Sequence, residues 1–224
     1  MRPRVVLITD PAYADDVVDR VVDAAARAIA PGGFAVQLRD RVAAPAAFVA
    51  RARALRARTR DAGALFVVNG DARVARDVEA DGVHLGAAWS VVTARSVVGR
   101  TMWISVAAHD DHDVERAVAE GADAVLVSPV FATPGEGKAP PRGVVAIARA
   151  AELIDARAPT SMHPRDHRDT RVPAVLALGG VTRQNAASCR DAGASGAALI
   201  RALLTSRDPG DDARAIDCAF APLW

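Results

Sequence analysis

The chain has 224 residues, 51% of them apolar, and a formal net charge of +1. This length and apolar share suit one large domain with a sizeable core. The near-neutral balance excludes a general nucleic-acid binder, which needs a basic excess to neutralise phosphates, and no apolar run approaches the roughly 18 residues that span a bilayer.

Along the chain, short β-branched runs alternate with segments whose apolar residues recur three and four apart. A first strand is predicted over 4–10 (RVVLITD), followed by the helical DDVVDRVVDAAARAIA. The second, 34–40 (FAVQLRD), precedes RARALRARTR at 51–60, which has helical spacing and reads as a solvated basic face. The third and fourth are 65–70 (LFVVNG) and 82–86 (GVHLG). MWISVAA (102–108) leads through the helical DVERAVAEGA to AVLVSPV (124–130), and PAVLALGG (173–180) and GAALIRALL (196–204) complete the set. Several runs are apolar without alternation, as in strands covered on both faces. Eight strands joined by helical segments predict a (β/α)8 TIM barrel, one domain over 1–224, in preference to a doubly wound open sheet.

Small residues and Gly recur before the strands, in AGALF, EADGVHL, EGADAVLV and DAGASGAALI. They read as helix C-caps and tight turns on the stability face of the barrel. The least patterned stretches are 132–143 and 155–172. The first reads as a βα loop on the functional side, the second as a solvated insertion whose His163 and His167 are not metal ligands. Cys189 and Cys218 lack metal-ligand spacing, and Cys189 reads as a buried small residue. The N-terminus has no signal-type apolar core, so the cytoplasm is the expected location.

Function in such a barrel gathers at the strand C-termini. Those ends carry Thr9 and Asp10, Gln37 with Arg39 and Asp40, Asn69 and Asp71, and His84. Ser105 and His109 follow, then Ser128 with Thr133 and Lys138, the pair Gly179-Gly180, and Arg201. Gly179-Gly180 lets backbone approach a ligand before a helix, the usual setting for a phosphate, and Arg201 adds a charge-assisted contact. A tight turn needed for packing is the competing reading. Gln37 and Arg39 lie two apart and point one way, into the lumen mouth, where they meet a polar ring or a second anion. An internal ion pair of Arg39 with Asp10 or Asp71 is the alternative.

VVLITD, QLR at 37–39, Asn69, DGVHLG, His109, SPVFATP, LGGV and NAASCRDAGASGAAL, in this order over nearly the whole chain, resemble the thiamine phosphate synthase/TenI family. The resemblance implies a (β/α)8 barrel whose ligands are thiazole phosphate, aminopyrimidine diphosphate and related thiamine precursors. Synthases of the family join the two with Mg²⁺ and release diphosphate, while TenI-type members include a metal-independent thiazole tautomerase. By the same resemblance Gln37, Arg39 and Asn69 contact the pyrimidine diphosphate, Thr133 and Lys138 belong to the thiazole-phosphate loop, and Gly179 and Gly180 receive the thiazole phosphate.

Departures from the family pattern concentrate on the metal. The Asn-Asp-Arg run with a further Asp is here Asn69-Gly70-Asp71-Ala72-Arg73, and the turn after His84 is Gly86-Ala87-Ala88-Trp89, without an acid. Pro129 stands where the tautomerase histidine is expected, and Arg201 replaces a small hydroxyl residue. Mg²⁺ is held by carboxylates and substrate phosphates, so no metal and no other cofactor is expected. The leading expectation is TenI-like binding of a thiazole phosphate or related precursor phosphate, with proton transfer by His109 or His84 and Lys138 closing the loop. The alternatives are an Mg²⁺-dependent thiamine phosphate synthase with altered diphosphate contacts, and a non-catalytic thiamine-phosphate-binding protein. A small-molecule phosphate is the expected partner, without nucleic acid or membrane; a homo-oligomer is left open.

Overall fold

Eight short runs rich in Val, Ala and Leu become the strands of a computed structural model that describes residues 2–133, 139–157 and 172–221. They are β1 (Val5–Ile8), β2 (Phe34–Leu38), β3 (Leu65–Asn69), β4 (Gly82–Leu85), β5 (Trp103–Ala108), β6 (Ala124–Val127), β7 (Ala174–Leu178) and β8 (Gly196–Leu199). Neighbours pair in parallel, and β8 returns to β1 with Val5 beside Ala197. That last pairing closes the barrel and removes the open-sheet alternative.

The helices cover the outside. They are α1 (Asp15–Ala28), α2 (Pro45–Ala62), α3 (Ala72–Asp77), α4 (Val91–Val98) and α5 (Asp111–Ala119). After β6 come α6 (Val145–Asp155), α7 (Ala186–Asp191), α8 (Arg201–Leu204) and α9 (Pro209–Ala219). In α1 the buried residues Val18, Val21, Val22 and Ala25 form the three-and-four stripe, while Asp15 and Asp16 sit at the positive end of the helix dipole. α2 stops where Gly63 adopts φ +72 and caps it in the left-handed conformation.

Two expectations need correction. The apolar run 196–204 is not one strand: β8 ends at Leu199, and Arg201–Leu204 turns into α8, burying Leu203 and Leu204. A continuous apolar run looks alike in either conformation, so periodicity could not place this break. The basic face of α2 is also less solvated than its composition suggests. Arg51 pairs with Asp15 and Asp40, Arg56 with Asp81 and Arg58 with Asp23, binding α2 to its neighbours.

Strand residues alternate between two cores. Val5 and Leu7 pack among the helices, whereas Val6 and Ile8 join Ala35, Val67, Trp103, Leu126, Leu176 and Ala198 inside the barrel. Trp103 fills the lumen at the N-terminal end of β5. A Cβ on Gly82 would lie 2.9 Å from the Trp103 ring and from its carbonyl oxygen, so this strand glycine makes room for the indole.

Candidate functional site

Lumen-facing residues change character toward the strand C-termini. On one side β2 to β5 contribute Gln37, Asn69, His84 and Ser105; on the other, Ile8, Leu126, Leu178 and Ile200 are apolar. The parallel register sets His84 between Asn69 and Ser105. Gln37, 2% exposed, donates from Nε2 to Asn69 Oδ1 at 3.1 Å. His84 Nδ1 and Ser105 Oγ share a hydrogen bond of 2.9 Å. Burial, and then the charges of Arg39 and His109, push the His84 pKa down to about 4. It is therefore neutral at ordinary pH and poorly suited to carry a proton in a reaction.

Arg39 leaves β2 with its backbone fixed: its N–H donates to Thr9 Oγ1 at 2.9 Å, and Thr9 Oγ1 donates to its carbonyl at 3.2 Å. The side chain is half-buried, and its pKa is lowered by burial and by the nearby Arg41, with Asp10 opposing. The alternative of an internal ion pair with Asp10 or Asp71 is not formed. Asp10 Oδ1 accepts from Ala12 N at 3.0 Å, and Asp71 Oδ1 caps α3 by accepting from Arg73 N and Val74 N.

The glycine pair lies where expected, and its packing role is explicit. Gly179 and Gly180 have φ of +98° and +65°. A Cβ on Gly180 would fall 2.7 Å from both Ala132 O and Phe131 Cβ, and one on Gly179 would fall 3.0 Å from Pro129 Cα. Val130 N donates to Leu178 O and Phe131 N to Gly179 O, both at 2.9 Å, so the exit of β6 lies directly along the β7 loop. Asn185 steadies that loop by accepting from Thr182 N and donating to Gly180 O. Packing alone accounts for both glycines, whatever ligand they also admit.

Among the remaining expected residues, Thr133 is partly buried beyond β6, and His109 is exposed after β5, its N–H donating to Asp113 Oδ2. Arg201 opens α8 as an exposed residue rather than ending a strand. Lys138, His163 and His167 lie outside the described residues.

Sequence reading overlooked Arg142, because no motif surrounds it. It lies on the limb returning from β6 to α6, with its N–H donating to Pro129 O at 2.8 Å and Gly143 N donating to Val130 O at 2.9 Å. Its guanidinium reaches Ala108 O, at the end of β5, at 3.5 Å. The signal available in the sequence was a single basic residue flanked by Pro141 and Gly143.

The rim does not fit a carboxylate-held Mg²⁺. Asp10 and Asp71 are engaged as above, and Asp40 accepts from Val42 N and Ala43 N while pairing with Arg51. Those hydrogen bonds, together with Arg51, lower the Asp40 pKa against an opposing effect of burial. The Gly86–Trp89 turn brings backbone only; its Ala87 and Trp89 carbonyls are taken by Arg116. Asp110, His112 and Asp113 come together on the outer rim, but Asp110 Oδ1 accepts from Asp113 N at the start of α5. These acids serve the helix terminus, and the described residues bring no carboxylate pair into the lumen.

A family model described as thiamine monophosphate synthase matches residues 5–203. The chain belongs to this family. It is 36% identical over 209 residues to a thiamine-phosphate synthase of Bordetella pertussis, covering 92% of this chain and 91% of that one. A thiamine-phosphate synthase of Methanoregula boonei is 38% identical over 182 residues, 81% of this chain and 77% of that one. Among solved structures, thiamine phosphate pyrophosphorylase from Pyrococcus furiosus superposes with a TM-score of 0.76. It is 24% identical and covered to 96%, against 98% of this chain, a likeness that speaks for the fold alone. The thiamine monophosphate synthase family thus bears out the resemblance drawn from QLR, DGVHLG and SPVFATP. The relatives' names fall on the synthase side of that family rather than the tautomerase side. No helix among the described residues is long and apolar enough to cross a membrane.

Proposed function

We propose that this barrel is a synthase-type transferase, joining a thiazole phosphate to an aminopyrimidine diphosphate and releasing diphosphate. One observation carries the reading: buried Gln37, bonded to the partly buried Asn69, and the half-buried Arg39 face one mouth from adjoining strands. A carboxamide pair fixed in the lumen orients a heterocycle with polar edges, and a guanidinium above it meets the attached anion. The apolar side, with Ile8, Leu178 and Ile200, would be the wall against which the second ring packs. Gly179 and Gly180 offer backbone to its phosphate, with Thr133 and Lys138 on the adjoining loop and Arg201 beyond β8.

In this reading the bond between the pyrimidine's methylene carbon and the diphosphate oxygen breaks, and its electron pair leaves on that oxygen. The carbon then bonds to the thiazole nitrogen. The chain's part is to hold both rings in line and to stabilise the departing charge, a matter of positioning and electrostatics. No step is assigned to a metal, because the rim acids are engaged elsewhere. Those engaged acids also favour a second reading, a metal-free tautomerisation of the thiazole phosphate. His109 would be its base, since His84 is enclosed and neutral.

The test is incubation of the full chain with both precursors in magnesium-containing buffer, with thiamine phosphate followed by mass spectrometry. Product is expected, and Gln37→Leu should lower kcat/KM by about tenfold or more through loss of a buried polar contact. A chain that forms no thiamine phosphate yet isomerises thiazole carboxylate phosphate in a His109-dependent way would replace this reading with the second.

A further inference from the structure

We propose that Arg142, together with Arg39, is the diphosphate ligand of this mouth, so that guanidinium charge takes the place a divalent cation would fill. The inference rests on the transferase reading and extends it to a residue outside every motif by which the family was recognised.

Partly buried guanidinium groups elsewhere in the barrel are answered by carboxylates. Arg51 meets Asp40, Arg56 meets Asp81, Arg95 meets Asp123 and Arg116 meets Glu120. Arg142 and Arg39 are also half-buried, yet neither makes an ion pair among the described residues. Arg142 spends one N–H on Ala108 O at 3.5 Å, the outer limit of a hydrogen bond. A partly desolvated cation without a counter-ion is unfavourable unless a ligand supplies one.

Its placement is fixed by backbone rather than by chance packing. The bonds from Arg142 N to Pro129 O and from Gly143 N to Val130 O clamp the loop's returning limb to the exit of β6. That exit is itself bonded to Leu178 O and Gly179 O. One continuous ladder therefore relates Arg142 to the glycine turn of β7. Its side chain reaches across to the end of β5 at Ala108 O, and Arg39 acts on His84 from the β2 side. Both cations stand beyond strand C-termini on the functional side of the barrel, while the carboxylates that would recruit a metal accept local backbone hydrogen bonds. When the carbon–oxygen bond breaks, the electron pair stays on the diphosphate, and paired guanidinium groups stabilise that charge without a change in protonation.

The experiment is calorimetric titration of the full chain with inorganic diphosphate in EDTA. Wild type is expected to bind, Arg142→Gln to bind at least about tenfold more weakly, and Arg142→Lys to recover part of the loss. Arg149→Gln, on the exposed face of α6, should bind as wild type does. Magnesium added to wild type should not tighten binding tenfold. Wild-type binding that appears only with magnesium, or unchanged binding in Arg142→Gln, would overturn the assignment. A chain that makes thiamine phosphate while Arg142→Gln binds diphosphate normally sinks this inference and leaves the transferase reading standing. A chain that makes none, yet loses diphosphate binding in Arg142→Gln, does the reverse.

Discussion

His84 Nδ1 shares a hydrogen bond of 2.9 Å with Ser105 Oγ inside the barrel, and this enclosure decides what the imidazole can do. As a histidine at a strand end beside Gly86, it reads as a base poised for proton transfer. Inside the barrel it is 7% exposed and bonded to Ser105, with Arg39 and His109 adding positive charge nearby. Its ordinary pKa of 6.5 falls to about 4 in the fold. Between those two values the unfolded chain takes up a proton that the folded chain refuses. The stabilisation is therefore fully present above pH 6.5 and is lost as pH falls toward 4, an interval worth about 3 kcal/mol. Urea unfolding at pH 7.5 and pH 5 should show that loss in wild type, and His84→Gln should flatten it. An equal pH dependence in the two proteins would mean that His84 is not the buried neutral group described here. That a strand-end His is enclosed rather than open depends on its lumen neighbours, which strand spacing alone does not identify.

At the scale of elements, what was legible followed from period and punctuation. Seven strands lie within the runs predicted for them because β-branched runs were bracketed by Gly, Asn or Asp. The eighth overran, since GAALIRALL is apolar through both its strand and its helix. The αβ turns were read as glycine caps, and Gly63, Gly121 and Gly193 do adopt positive φ. In EADGVHL, however, the left-handed residue is Glu79 at φ +54, and Gly82 serves Trp103 instead. The β7 turn offers a sharp test of packing against permissive glycine. Gly180→Ala places a Cβ 2.7 Å from Ala132 O at a φ of +65°, and should cost about 2–3 kcal/mol. Gly86→Ala meets nothing nearer than Trp89 Cδ1 at 3.5 Å and should change stability by less than about 0.5 kcal/mol. Thermal denaturation of both variants measures the contrast. Equal melting temperatures would remove the close approach of the β6 and β7 loops as the reason for Gly180.

For the whole molecule, barrel closure was legible from strand count and chain length, but the device that ties strand pairs to the helix layer was not. It recurs at two αβ turns whose sequences, EADGVHL and EGADAVLV, share an Asp just before the strand. Asp81 Oδ2 accepts from Phe66 N in β3 at 2.8 Å and from Arg56 of α2 at 2.7 Å. Asp123 Oδ2 accepts from Ile104 N in β5 at 2.8 Å and from Arg95 of α4 at 2.8 Å. Each acid thus joins the second amide of a strand to the helix that precedes that strand. Sequence pattern exposed the small residues of these turns, while the partners lie about 15 to 30 residues distant in sequence and have no period. The two staples differ in depth, with side-chain exposure of 28% for Asp81 and 6% for Asp123. Removing Asp123 strands both a guanidinium and a buried amide, so Asp123→Ala should cost about 3 kcal/mol or more. Asp81→Ala should cost less, because Asp81 is the more exposed acid and its pair is the better screened. The Arg149–Asp111 pair, about half exposed on both sides, should contribute least of the three when broken by Arg149→Ala, because solvent screens it. Denaturant unfolding of the three variants should rank them in that order, and a deficit in Asp123→Ala no larger than in Arg149→Ala would reduce the staple to an ordinary surface ion pair.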